Sequence, residues 1–301
     1  MTSLTKRIIT AFLTLVLLLG FAACAVGPES PSGGSTAEAA TKPATAESTP
    51  GTPTAATLKI VSLNAQNADY DTSGEATIEA KYQKLADALG AKEPDLIFLQ
   101  ECNTVFAAEG IRARMPEASK YAVVSGEGAT TMVIYNKDVF SLFNQGCQKI
   151  GEKGDENGSN YERYMVWVLL IHKELDAAMA VVPVHVDYAT KACKAQINTI
   201  VAYLKENYPA VPTILAGDFN AEMGTVSATS LATEGYLDAR TTATEKINGD
   251  EKTFPEKSQI IDFVWYKRGQ FFDATATKYE VITDALPTDH RPIYTEIALR
   301  K

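Results

Sequence analysis

The chain has 301 residues, 46% hydrophobic and 9% aromatic, enough to fill one large core and too apolar for a disordered polymer. A formal net charge of −9 excludes long-range attraction as the basis for binding nucleic acid or anionic lipid, although a bound divalent cation and a few local arginines could still hold a phosphate. Four cysteines are too few for a disulfide framework, and their spacing does not suggest zinc.

Residues 1–23 have the shape of a secretory signal. Lys6 and Arg7 form a basic start, and Ile8 to Ala23 is apolar apart from Thr10 and Thr14, too short and too abruptly ended for a comfortable membrane span. Phe21-Ala22-Ala23-Cys24 is similar to the bacterial lipoprotein cleavage box, with Phe21 where leucine is commoner. The resemblance implies an acylated Cys24 and an extracytoplasmic protein anchored to the bacterial membrane; an ordinary signal peptide cut near Ala23 and an uncleaved anchor are the alternatives. Residues 24–57 then read as a tether. Apart from Val26 and Lys42, Ala25 to Thr57 holds only Ala, Ser, Thr, Pro, Gly and Glu, so nothing can be buried. A flexible coil of this length would hold a domain roughly 30 Å from its anchor. The leader and tether charges cancel, so residues 58–301 carry the acidity.

The folded domain is expected over 58–301. Leu58 to Asn64 alternates as a strand and ends on a polar tip. Ile78, Tyr82, Leu85 and Leu89 recur at helical spacing, with Gly90 as the stop. Leu96 to Leu99 is a second buried strand, ending on Gln100-Glu101, which makes a βα unit with two strands delivering polar residues at one end. Between 121 and 182 the runs at 121–124, 131–135, 139–142, 163–170 and 178–182 are strand-like and separated by turn chemistry, with a polar, mobile loop from Gly151 to Asn160. Val184-His185 ends another strand. A helix follows, with Ile197, Ile200, Val201 and Leu204 on its buried face and a stop before Pro209. Ile214 to Asn220 is an apolar run that ends in Gly217 and presents Asp218 and Asn220 on one side, with Phe219 facing the core. Asp262 stands within the apolar strand Gln259 to Tyr266, and Thr288-Asp289-His290-Arg291-Pro292 precedes the last strand. The order predicts a two-sheet sandwich with helices outside.

Eight polar residues thus stand at strand ends: Asn64, Glu101, His185, Asp218, Asn220, Asp262, Asp289 and His290. Oxygen donors of this kind suit magnesium, with manganese or calcium as alternatives, better than zinc. Phosphoryl transfer needs such an ion, a group to activate water, and imidazoles to meet developing charge. Asn64, Gln100-Glu101, Val184-His185, Gly217-Asp218-Phe219-Asn220, Ile261-Asp262 and Asp289-His290 resemble, in order and spacing, the motifs of the endonuclease/exonuclease/phosphatase superfamily with its deoxyribonuclease I-like fold. That resemblance implies a four-layer α/β sandwich, two packed β-sheets flanked by helices, and a metal-dependent phosphoesterase. It makes Asn64, Glu101 and Asp289 metal ligands, has Asp218 and Asn220 position the attacking water and phosphate, and puts His185 and His290 on the phosphate with Asp262 orienting His290. Arg163 looks like the family's phosphate-contacting arginine. Whether Asp218 or His290 takes the water's proton stays open.

There are departures from the family pattern. No clear carboxylate stands near Thr130-Thr131-Met132, where some nucleases of the family place a partner for the first histidine, and the aromatic hairpin expected of membrane-inserting sphingomyelinases is not recognisable. Thr253-Phe254-Pro255 resembles small bacterial members. His172 reads as exposed and idle, Arg112 and Arg114 as solvent-facing loop charges with a substrate-phosphate role as the alternative, Cys102 as core, and a Cys147–Cys193 bridge is possible. The expectation is a monomeric, tethered, magnesium-dependent phosphoesterase acting on phosphodiesters, nucleic acid first. A phospholipid, sphingomyelin or inositol-phosphate hydrolase is the second enzyme reading, and a binding lipoprotein without turnover the non-enzymatic one.

Overall fold

A computed structural model describes residues 55–70, 75, 77–270 and 272–301; the leader, Cys24 and nearly all of the tether lie outside the described residues. Strand β1 (Ala55–Asn64) begins ahead of the expected domain start, because Ala55, Ala56 and Thr57 pair with Arg300, Leu299 and Ala298 of the last strand. Helix α1 (Ile78–Gly90) is capped by the Thr77 hydroxyl, which accepts from Ala80 N, and ends at the glycine as its spacing predicts. Then follow β2 (Leu96–Gln100), α2 (Val105–Arg112), β3 (Tyr121–Val124), β4 (Met132–Asn136), β5 (Phe140–Gly151), β6 (Arg163–His172), β7 (Ala177–His185), α3 (Thr190–Asn207) and β8 (Thr213–Asp218). The C-terminal third adds α4 (Val226–Thr233), β9 (Leu237–Asp238), α5 (Ala239–Thr242), β10 (Glu245–Ile247), β11 (Asp262–Lys267), β12 (Asp273–Val281) and β13 (Ile293–Arg300). No helix among the described residues is long and apolar enough to cross a membrane.

One sheet runs β10-β12-β13-β1-β2-β4-β3 and the other β5-β6-β7-β8-β11-β9. Their facing sides supply the central core, with Leu58, Ile60, Phe98 and Val133 from the first sheet against Val166, Val168, Val181, Ile214 and Val264 from the second. The opposite face of the first sheet packs Val61, Leu63, Ile97 and Leu99 on α1 and α2 through Leu85, Leu89 and Ile111. The opposite face of the second packs Val182, Leu215 and Trp265 on α3 through Ile197, Ile200 and Leu204. Helix, sheet, sheet and helix form the four-layer α/β sandwich that the sequence led us to expect.

Four expectations are corrected. Arg112 closes helix α2 rather than sitting in a loop; its Nε pairs with Glu109 at 2.6 Å and a terminal nitrogen donates to Ala118 O, while Arg114 donates to Gly110 O. His172 is buried, its Nδ1 accepting from Leu175 N and its ring set edge-on to Phe140. Cys147 and Cys193 are free thiols. The loop before β6 is tied down by two carboxylates: Asp155 accepts from Asn157 N and Ser159 N, and Asp187 from Asn160 N and Tyr161 N.

Candidate active site

Strand direction brings the polar ends together. β1 and β2 run parallel and deliver Asn64 and Glu101, while β7 and β8 run parallel with His185 opposite Asp218. β11 is antiparallel to β8, so Asp262 begins it opposite Asp218. β13 is antiparallel to β1 and places Asp289 and His290 just before its start, and β6 opens with Arg163 at the same end. The eight predicted site residues and Arg163 therefore meet at one rim.

The backbone there is held in uncommon conformations. Gly217 has φ +149, and a Cβ on it would lie 2.0 Å from Val184 O of the neighbouring strand, so only glycine lets β8 approach β7 this closely. Asn220 has φ 47 and Glu101 has φ 57, left-handed conformations that turn the chain at the ends of β8 and β2. Phe219 meanwhile points inward against Phe263.

Asp218 is buried at the centre. Its Oδ1 accepts from Asn220 N at 2.8 Å and its Oδ2 from Asn64 Nδ2 at 3.1 Å. The Nε2 atoms of His185 and His290 lie 3.7 and 3.8 Å from the same Oδ2. Burial, reinforced by the Asp262 carboxylate, raises the proton affinity of Asp218 well above that of an ordinary aspartate. Asn220 anchors the turn by donating from Nδ2 to Val186 O at 2.9 Å.

The two histidines are in opposite states. Burial would lower His290, but Asp262 Oδ2 at 2.9 Å from its Nδ1, with Asp218 and Asp289 nearby, pushes it up to about 10, so it is an imidazolium at neutral pH. Phe254 stacks on its ring at 4.6 Å with an interplanar angle of 12°, a favourable arrangement for a cation. His185 is lowered well below its ordinary value by burial, by Arg163 and by His290, and is neutral. An Arg163 terminal nitrogen lies 3.3 Å from His185 Nδ1; since the guanidinium can only donate, the imidazole proton is on Nε2, facing Asp218. An arginine thus stands beside the first histidine.

Arg163 has no carboxylate partner among the described residues, and its buried Nε lacks a hydrogen bond. A desolvated guanidinium left open in this way is suited to an anion. On the far side of Asn64 stands an oxygen-rich pair. Glu101 Oε1 accepts from Asn64 Nδ2 at 3.1 Å and its Oε2 from Asn67 N at 2.9 Å, while burial and the nearby Glu101 and Glu256 charges raise Asp289. Carboxylates crowded in this way suit a hard divalent cation. Ligand atoms of Asp218, Asp262 and His290 also lie within 4.8 Å of one another. In that triad His290 Nδ1 is already bonded to Asp262 Oδ2 at 2.9 Å. Asn64 presents its nitrogen to Glu101 and spends Oδ1 on Gln66 N at 3.0 Å, so the amide would have to turn over to serve as an oxygen ligand.

Two supporting elements were not anticipated. Asp187 is fully buried beneath the segment that leads into Arg163, and its position two residues beyond His185, just past the end of β7, was the available signal. Thr253, also fully buried, accepts through Oγ1 from the amides of Ile261 and Asp262, so the Thr253-Phe254 segment both braces β11 and supplies the ring over His290.

Solved structures with the same fold include an endonuclease/exonuclease/phosphatase from Bacteroides vulgatus (18% identity, 80% of this chain and 98% of that one, TM-score 0.66). They also include a mannosyl-6-phosphatase from Bacteroides thetaiotaomicron (20%, 80% and 99%, TM-score 0.65) and the human Nocturnin catalytic domain with bound sulfate (17%, 81% and 94%, TM-score 0.61). No curated protein sequence matches the chain. The Endonuclease/Exonuclease/phosphatase family model matches residues 61–290, every site residue described above falls in that span, and the chain belongs to this family.

Proposed function

We propose that the protein is a magnesium-dependent phosphodiesterase, with nucleic acid as its preferred substrate class. The observation that carries this reading is the convergence of both histidines on Asp218 Oδ2, at 3.7 and 3.8 Å, beside an arginine that has no carboxylate partner among the described residues. The raised Asp218 is the competent base near neutral pH, whereas His290, already protonated, is not. Water adds to phosphorus as the ester P–O bond breaks. Asp218 takes the water's proton, and the departing alkoxide is protonated from solvent. Arg163, imidazolium His290 and the Nε2–H of His185 face the phosphoryl oxygens, where negative charge grows. Glu101 and Asp289 would hold the ion, with Asn64 joining them through its turned carboxamide; when bound, it neutralises phosphate charge. Manganese or calcium fits the same donors.

Hydrolysis of bis(4-nitrophenyl) phosphate by the purified chain, with magnesium and then with chelator, tests the reading. Activity that survives both chelation and Asp218→Ala rejects it, and no activity under any metal favours a binding protein. Comparing DNA, RNA, sphingomyelin, inositol phosphates and a sugar phosphate decides the substrate. The acidity of the chain and its likeness in fold to a mannosyl-6-phosphatase support a small phosphorylated metabolite as the second reading. We also propose that Cys24 is lipidated and holds the domain at the outer face of a membrane; unchanged fractionation of Cys24→Ala would reject that anchor.

A further inference from the structure

Asp187 is the most heavily bonded carboxylate near the site, and it touches none of the reacting groups. Its Oδ1 accepts from Ala189 N at 2.9 Å and Asn160 Nδ2 at 2.8 Å; its Oδ2 accepts from Asn160 N at 2.7 Å, Tyr161 N at 3.1 Å and Ser159 Oγ at 3.2 Å. Gln196 of α3 closes the arrangement, accepting from Asp187 N at 2.8 Å and donating to Ser159 Oγ at 3.1 Å. Residues 159–161 are thereby fixed to the backbone that follows His185. Two residues further on, the Arg163 guanidinium lies over the Tyr161 ring at 5.1 Å and against His185 at 3.3 Å.

Isolated from water, a carboxylate could quench the arginine by pairing with it. Here its lone pairs are spent on amides and a hydroxyl, so it acts on Arg163 only at a distance, opposing the cost of burying the cation. We propose that Asp187 is a positioning residue of the phosphoester reaction: it fixes the Ser159–Arg163 segment so that the guanidinium stays at the phosphate subsite, cationic and unpaired. The inference rests on the proposed function, in which Arg163 meets the phosphate.

A double-mutant cycle tests it, with bis(4-nitrophenyl) phosphate as substrate and inorganic phosphate as competing anion. Asp187→Asn keeps the volume but replaces two acceptor oxygens by one. It should lower kcat/KM about ten- to hundredfold, as the loss of supporting groups commonly does, and should raise the inhibition constant for phosphate. In an Arg163→Ala background the same change should cost less than about threefold, because the residue it positions is gone. Equal losses with and without Arg163 would overturn the proposal, since damage to the fold does not depend on that side chain. If Asp187→Asn does not fold, Asn160→Ala, which removes one of the five bonds, enters the same cycle with the same criterion. A wild-type chain that hydrolyses no phosphoester overturns the functional reading and this inference together; an active wild type with additive losses overturns this inference alone.

Discussion

At the scale of the residue, the site separates two imidazoles by their neighbours. Asp262 holds His290 as a cation, whereas His185 has an arginine for a neighbour and stays neutral. Asp262→Asn keeps the shape and removes the charge that holds the proton on His290. It should lower kcat roughly a hundredfold, the scale of one lost donor to the developing negative charge, with KM nearly unchanged; steady-state kinetics on the diester would show otherwise if Asp262 were only a core residue. His172 gives the pH prediction. Burial lowers its proton affinity below the ordinary value of 6.5, so the native state favours the neutral ring. Its contribution is therefore complete above pH 6.5 and is lost as pH falls below that through the folded-state value. Protonation would also remove the acceptor for Leu175 N. Between about pH 7 and 5, His172→Gln should lose less Tm than wild type; an equal loss by thermal melts would mean His172 titrates freely. Nothing in Ile171-His172-Lys173-Glu174 announces this burial, because it comes from Phe140 across the β5–β6 pair. Asp262 and His290, by contrast, were readable: an acid inside an apolar strand needs a partner.

At the scale of the element, apolar periodicity revealed the strands and helices that carry the site, and β8 shows why. Residues 213–218 are all buried, so from Ile214 the run is apolar until the rim is reached. Helix α2 escaped notice because Val105-Phe106-Ala107-Ala108 lacks a clean stripe, with Phe106 exposed and the two alanines buried. β12 escaped because its first half, Asp273-Ala274-Thr275-Ala276, buries only small side chains, and a register shift between Ala276 and Lys278 separates these from buried Tyr279 and Val281. One glycine sets the geometry of β8. Gly217→Ala would drive a methyl into Val184 O and strain a positive φ, so we expect a loss of roughly 3 kcal/mol or insoluble protein. Denaturant unfolding decides the matter: a change below about 0.5 kcal/mol would mean β7 and β8 can part without cost.

At the scale of the whole molecule, two parallel pairs, β1–β2 and β7–β8, lie in different sheets and point the same way, so packing the sheets face to face assembles the site without a dedicated domain. That is why residues from 64 to 290 could be collected from the sequence alone, Arg163 among them by its family resemblance, while the contact of Arg163 with His185 came only from the structure. The same molecule carries a net charge of −9 around a site built for anions. Local attraction by Arg163 and His290 must therefore act against a repulsive long-range field. Raising monovalent salt from about 20 to 200 mM shortens the screening length from roughly 20 to 7 Å and weakens the field more than the buried contacts. For a 20-nucleotide single strand, kcat/KM should rise about two- to tenfold over that range, while a small monoanionic diester changes little. Most nucleic-acid-binding proteins behave in the opposite way, losing affinity steeply as counterions compete for the phosphates. A steep fall here would reveal a cationic track that the net charge conceals and would strengthen the case for a polynucleotide; a flat response with both substrates would favour a substrate with a single phosphate.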